Sequence, residues 1–155
     1  MVWLSSAILY LHILGSIFWV GSATMFQYIF VPSLVGMPFE AQRPWLGALA
    51  VRYGPLIGVV GGLTMVFGVL RGVLTGVLGT LNTPYGVTWL TAVVLGIPVI
   101  ALGGALIGPT GNKMAAASTK EEVQSLAARM STYGRLETAL FLVLLALMVA
   151  MHAGY

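Results

Sequence analysis

The chain has no cysteine, and its 155 residues include only four acidic side chains, all glutamate. The first absence excludes disulfides, thiolate metal sites and cysteine nucleophiles. The second belongs to a wider poverty of charge. Only 7% of the residues are charged, against about 25% in soluble domains. No charge precedes Glu40, none lies between Arg52 and Arg71 or between Arg71 and Lys113, and none follows Glu137. A nucleophile paired with a base, a Gly-rich phosphate loop and paired carboxylates within the apolar runs are all missing, which leaves hydrolase, kinase and proton-pump readings without residues. The net charge of +3 comes from few side chains gathered on one side, which argues membrane topology and not nucleic-acid binding. The N-terminus lacks a basic leader and a small-x-small cleavage site, so a retained first span is expected.

What fills the chain is apolar: 59% of residues are hydrophobic and the mean hydropathy is +0.98. The uncharged stretches are long enough for spans of about 20 residues each. The expected fold is all-α, a single integral membrane four-helix bundle over residues 1–155, in contact with membrane lipid, with spans near 3–30, 54–79, 87–107 and 136–152. Val31-Pro32 is expected to end the first helix, because proline cannot continue the hydrogen-bond ladder. Residues 33–53 then read as a connection with Trp45 and Arg52 at the interface, and Leu81 to Gly86 as a turn. Pro98 should kink the third span, and Gly108 to Lys113 should break it. Thr119-Lys120-Glu121-Glu122 reads as a capping box. Val123, Leu126, Met130 and Tyr133 follow at helical spacing and predict an amphipathic cytoplasmic extension that runs into the last span, with a bend at Gly134.

Within the first span, His12 stands among aliphatic and aromatic neighbours, where an ionisable side chain is tolerated mainly when it has a partner. Steps of three and four along the helix reach Gly15, Ser16, Trp19, Ala23 and Gln27, so small and polar residues share its face, which should look inward. A histidine early in the first span, then a small residue, an aromatic and Trp-x-Gly (Leu11-His12, Gly15, Phe18, Trp19, Gly21), resembles small four-span bacterial membrane proteins related to copper-resistance protein D (CopD) and to HemJ-type protoporphyrinogen oxidases. The resemblance covers about thirty residues and the four-span layout. It implies a haem b ligand at His12 and a bacterial-type plasma (inner) membrane as the location. HemJ-like proteins also carry a lysine within a membrane span. Here Lys113 and Lys120 both fall in a polar connection, a departure that counts against porphyrinogen oxidation.

Lysine and arginine gather in the connections between spans one and two and between spans three and four, which predicts both termini outside. Counted from the cytoplasmic ends, His12 lies 20 residues from Pro32, Arg71 lies 16 from Pro55 and His152 lies 17 from Arg135. Each is then roughly 24 to 30 Å along its helix, on one level in the outer leaflet. Two imidazoles on separate helices with an arginine between them in height suit a b-type haem, with His12 and His152 as axial ligands and Arg71 on a propionate; the alternatives are a His12 hydrogen bond to Ser or Tyr across the bundle, a solvated interfacial His152 and an Arg71 that snorkels outward. Arg71 needs an anion; a propionate, a lipid phosphate or the carboxylate of Tyr155 would serve. Ser16, Trp19, Gly68 and Gly72 are candidate contacts for the macrocycle, although Trp19 can equally be packing and the glycines can equally admit another backbone.

The leading expectation is therefore a membrane cytochrome b, acting in electron transfer or as a haem-dependent oxidoreductase on a small molecule such as oxygen or nitric oxide, with a quinol or redox protein as electron donor. Copper handling is the alternative, from the CopD likeness and from Met148, Met151 and His152. A non-catalytic subunit is the third reading. Glycines spaced by four in the second span (Gly54, Gly58, Gly62 and Gly68, Gly72, Gly76) suggest helix association and a homodimer. Gln27 and Glu137, near the cytoplasmic ends of their spans, read as an interfacial hydrogen bond or as a quinone or proton path.

Overall fold

The computed structural model describes residues 2–155. Its helices are α1 (Val2–Met25), a π-helical turn (Phe26–Phe30), α2 (Val31–Gly36), α3 (Phe39–Leu74), a 3-10 turn (Val77–Thr80), α4 (Pro84–Ala101), a second π-helical turn (Leu102–Ile107), α5 (Gly108–Ala116) and α6 (Lys120–His152). Together they make four apolar units long enough to cross a membrane, Trp3–Gly36, Phe39–Leu74, Pro84–Ala116 and Lys120–His152. Only 11% to 22% of each unit's most apolar window is buried within the bundle, so most of that surface points outward. Lipid is the solvent such a surface requires, and a helix is the form in which it can satisfy its backbone there. The protein is a multi-pass, all-α membrane bundle.

The helices are longer than the sequence suggests. At 33 to 36 residues each unit measures roughly 50 Å, against a hydrocarbon core of about 30 Å. The expected stop at Val31-Pro32 does not occur. The π-turn before it re-pairs the backbone, with Val31 N–H donating to Phe26 O, and Pro32 sits in the first turn of α2, where a missing N–H is harmless. The same device precedes Pro109: the π-turn Leu102–Ile107 leads into α5, with Pro109 in its first turn, so Gly108 to Lys113 is helix and not a break. Helix α4 runs through Pro98, and the departure from α geometry comes at the π-turn after it.

Residues 33–53 are likewise mostly helical. Only Met37 and Pro38 part α2 from α3, which passes through Pro44 and Pro55 and ends at Leu74, before Gly76 turns the chain at φ 79°. Gln42, fully buried, ties the break together by donating from Nε2 to Met37 O (2.8 Å) and Val35 O (3.3 Å). The capping box at Thr119 is present: its hydroxyl accepts from Glu122 N–H (3.2 Å), and the Glu122 carboxylate accepts from Ser118 N–H (3.0 Å). Helix α6 continues through Gly134, which serves as a seat for the Gln27 side chain.

Two cores hold the bundle. At the basic end, Val31, Leu34, Leu46, Met114, Val123, Ala127 and Met130 pack together, so the amphipathic stripe at the start of α6 closes against α2, α3 and α5. Deeper in the bundle, Trp19, Ala23, Val99, Phe141 and Leu144 form the second, with the Trp19 and Phe141 rings edge to face at 5.1 Å.

Candidate functional site

The pairing of α1 with α3 sets the environment of His12. Three contacts alternate large on small: the His12 ring lies over Gly68, Gly15 lies under Thr64, and the Trp19 indole lies over Gly61. A Cβ on Gly68 would stand 2.8 Å from His12 Cε1, and one on Gly61 would stand 2.7 Å from the Trp19 ring. Those glycines are there so that the large rings can approach the α3 backbone. The inward face expected for His12 is observed: Trp19, Ala23 and Gln27 are buried, and His12, Gly15 and Ser16 are half-buried.

The His12 ring is fixed by a hydrogen bond. Its Nδ1 lies 2.8 Å from Thr64 O. A carbonyl oxygen only accepts, so Nδ1 carries a hydrogen, and in the neutral ring Nε2 then carries the lone pair. A backbone carbonyl behind one ring nitrogen is the arrangement by which proteins present the other to a metal. Ser16 Oγ and Thr64 Oγ1 bond carbonyls of their own helices, His12 O (2.7 Å) and Val60 O (2.8 Å), as hydroxyls in membrane helices commonly do. His12, Ser16 and Thr64 line a cavity of about 440 Å³ whose other walls are mainly apolar and include Trp19, Gly68, Trp89, Phe141, Met148 and Met151. That volume suits a cofactor or small ligand.

Helix α6 runs antiparallel to α1, and two contacts fix the register: Trp19 on Phe141 and Gln27 on Gly134. Seven residues from Trp19 toward the N-terminus is His12, and seven from Phe141 toward the C-terminus is Met148. Seven residues are close to two full turns, so Met148 stands on the His12 level, facing the same cavity. His152 is exposed and about 6 Å farther along α6, outside the residues that line the cavity. Counting from Pro32 and Arg135 puts it level with His12, whereas the register set by the Trp19–Phe141 contact puts Met148 there.

Arg71 is three residues beyond Gly68 on α3 and does not line the cavity; its Nε and Nη1 are enclosed and unpaired among the described residues. Gly72 is not among the lining of the His12 cavity but lies under the indole of Trp89, which is. Of the sequence candidates, the structure gathers His12, Ser16, Trp19 and Gly68, leaving Arg71, Gly72 and His152 outside. Thr64 is the residue the site adds, and Met148, a sequence candidate for copper, joins His12 in the cavity.

A second cavity of about 520 Å³ lies toward the basic end. It holds Glu137, 5% exposed, and Gln27, 7% exposed, together with the stacked Phe26 and Tyr53 rings (centroids 4.6 Å apart). Gly54, Gly58 and Gly62 are among its lining, with Gly54 and Gly58 at its exposed edge, while Gly68 and Gly72 carry the rings of His12 and Trp89. Among the described residues no group of three His, Cys, Asp or Glu side chains is placed to hold a metal ion, so a metal here would have to come with a ligand frame of its own or use thioethers. Compared with family models, with curated proteins and with solved structures, the chain matches none, and the likeness to CopD and HemJ-type proteins rests on residues 11–21 and the number of spans.

Proposed function

We propose that the chain is a membrane-embedded b-type haem protein, with His12 Nε2 as axial ligand, serving electron transfer or redox chemistry on a small molecule. The observation that carries this reading is the anchoring of His12: its Nδ1 lies 2.8 Å from Thr64 O, and the residue lines a mainly apolar cavity of about 440 Å³. The residues present fit the group. Gly68 gives the imidazole room, Met148 offers a thioether on the same level, and the unpaired Arg71 guanidinium one turn beyond Gly68 calls for an anion such as a propionate. When bound, haem supplies one-electron redox chemistry whose potential depends on its axial ligands and on burial. The chain's own contribution is to hold His12 in one tautomer and to keep water from the cavity with Trp19, Trp89 and Phe141. Lysine and arginine bias supports an orientation with both termini outside, in which this cavity would lie in the outer half of the membrane, and the sequence resemblance suggests a bacterial-type plasma membrane.

The test is the absorption spectrum of protein made with haem supplied. A Soret band is expected, lost or shifted in His12→Ala and retained in His152→Ala. A colourless wild-type protein, or a band unchanged in His12→Ala, would end the haem reading. A copper-handling reading has one observation in its favour: His12 shares its cavity with the thioethers of Met65, Met148 and Met151, and imidazole with thioether suits Cu(I). Stoichiometric copper without iron in the purified protein would put that reading first.

A further inference from the structure

The second cavity contains groups that the haem reading does not use. Glu137 is 95% removed from solvent in an apolar segment, and Tyr53 is a second ionisable group on the wall of the same cavity. An ionisable side chain at such a place marks a functional site in membrane proteins more often than a structural one. Beside it, Gln27 Oε1 is enclosed without a hydrogen-bond partner, and Gln27 reaches this position because Gly134, one turn before Glu137, has no side chain. An unpaired buried acceptor is costly enough to call for a partner.

The backbone points the same way. Gln27 lies within the π-turn Phe26–Phe30, and Gly103, whose Cβ would stand 3.6 Å from Glu137 Oε1, lies within the π-turn Leu102–Ile107. Both departures from α geometry therefore border one cavity, and π-turns of this kind gather at functional sites. The Tyr53 hydroxyl already donates to Ser22 O (2.9 Å), so it does not serve Gln27 Oε1, which stays an acceptor without a partner beside the Glu137 carboxyl. The fitting ligand brings donors. A bare cation would want several oxygen ligands close around it, whereas about 520 Å³ with stacked aromatic side chains on its wall suits a flat apolar ring carrying hydroxyls.

We infer that the Glu137 cavity is a binding site for a lipid-soluble hydroquinone, whose ring hydroxyls donate to the Glu137 carboxyl and to Gln27 Oε1. The inference concerns binding, and it stands without the haem reading. Where both hold, Glu137 and the His12 level are separated by about 16 Å along α6, with the Trp19 and Phe141 pair between them.

The test is calorimetric titration of the full chain in lipid nanodiscs with decylubiquinol and, separately, with decylubiquinone. Saturable binding is expected, tighter for the hydroquinone and weakened roughly tenfold or more in Glu137→Gln, the scale of losing a charge-assisted hydrogen bond. Gly58→Leu, at an exposed edge of the cavity lining where no atom lies within 4 Å of a Cβ, should weaken it by narrowing the opening. Gly47→Leu, equally unobstructed and outside the cavity lining, should leave binding intact. Non-saturable partitioning, equal or tighter binding of the quinone, or affinity unchanged in both Glu137→Gln and Gly58→Leu would overturn the proposal. Titrating His12→Ala separates the two readings: binding retained without a Soret band removes only the haem, and a Soret band without binding removes only this site.

Discussion

Gly68→Ala tests the packing on which the His12 site depends. Non-bonded carbons rest about 3.5 to 4.0 Å apart, and the new Cβ would stand 2.8 Å from His12 Cε1 and 3.0 Å from Nδ1. The overlap of roughly 0.7 to 1.2 Å can be relieved only by moving the ring or separating α1 from α3. The ring is pinned by its 2.8 Å bond to Thr64 O, and a displacement of that size takes the bond out of hydrogen-bonding range. Overpacking costs about 1 to 3 kcal/mol and the lost hydrogen bond about 0.5 to 1.5. Replacing a helical glycine by alanine returns about 1 kcal/mol, so the net loss is about 0.5 to 3.5 kcal/mol. Gly62→Ala is the control, because nothing lies within 4 Å of its Cβ and only the propensity gain applies. The gap between the two variants, about 1.5 to 4.5 kcal/mol, isolates the clash and the hydrogen bond. Unfolding in mixed micelles with increasing dodecyl sulfate, followed by circular dichroism, measures it. Identical unfolding midpoints for the two variants would show that His12 does not lie on Gly68, and the cavity geometry would fall with it.

Two further outcomes test the basic end. Thr119→Ala removes the acceptor of Glu122 N–H at the start of α6 and should lower stability by about 1 kcal/mol in the same assay, with Thr119→Gly losing only a few tenths. Gln42→Leu leaves the Met37 and Val35 carbonyls without their side-chain donor at the α2–α3 break, and a loss of about 1 to 3 kcal/mol is expected; proteolysis between Gly36 and Phe39 should quicken, and unchanged cleavage would contradict the assigned role.

The sequence alone determined the class, because runs free of charge admit no solvent but lipid and no lipid-exposed backbone but helix. It also determined the inward face of α1, since His12, Gly15, Ser16, Trp19, Ala23 and Gln27 follow the helical period, and the start of α6, since a capping box is a local motif. It misjudged Pro32 and Gly108-Pro109 because proline dictates only that one donor is missing. Whether the helix stops or widens by one residue depends on packing elsewhere, and here Val31, Leu34 and Met114 are buried in one core that a broken helix could not reach.

The register between α1 and α6 was also beyond the sequence. No local rule says that Trp19 meets Phe141, yet that contact carries Met148 to the level of His12 and leaves His152 exposed beyond it. The glycines of α3 divide in the same way. Their spacing marks a face on which something can come close, and only the tertiary structure decides that Gly61, Gly68 and Gly72 receive rings while Gly54, Gly58 and Gly62 border a cavity. Composition and period are properties of a segment and survive in isolation; the meeting of Gln27 with Glu137, or of His12 with Thr64, is a property of how segments slide past one another, which is fixed by contacts far apart in the chain.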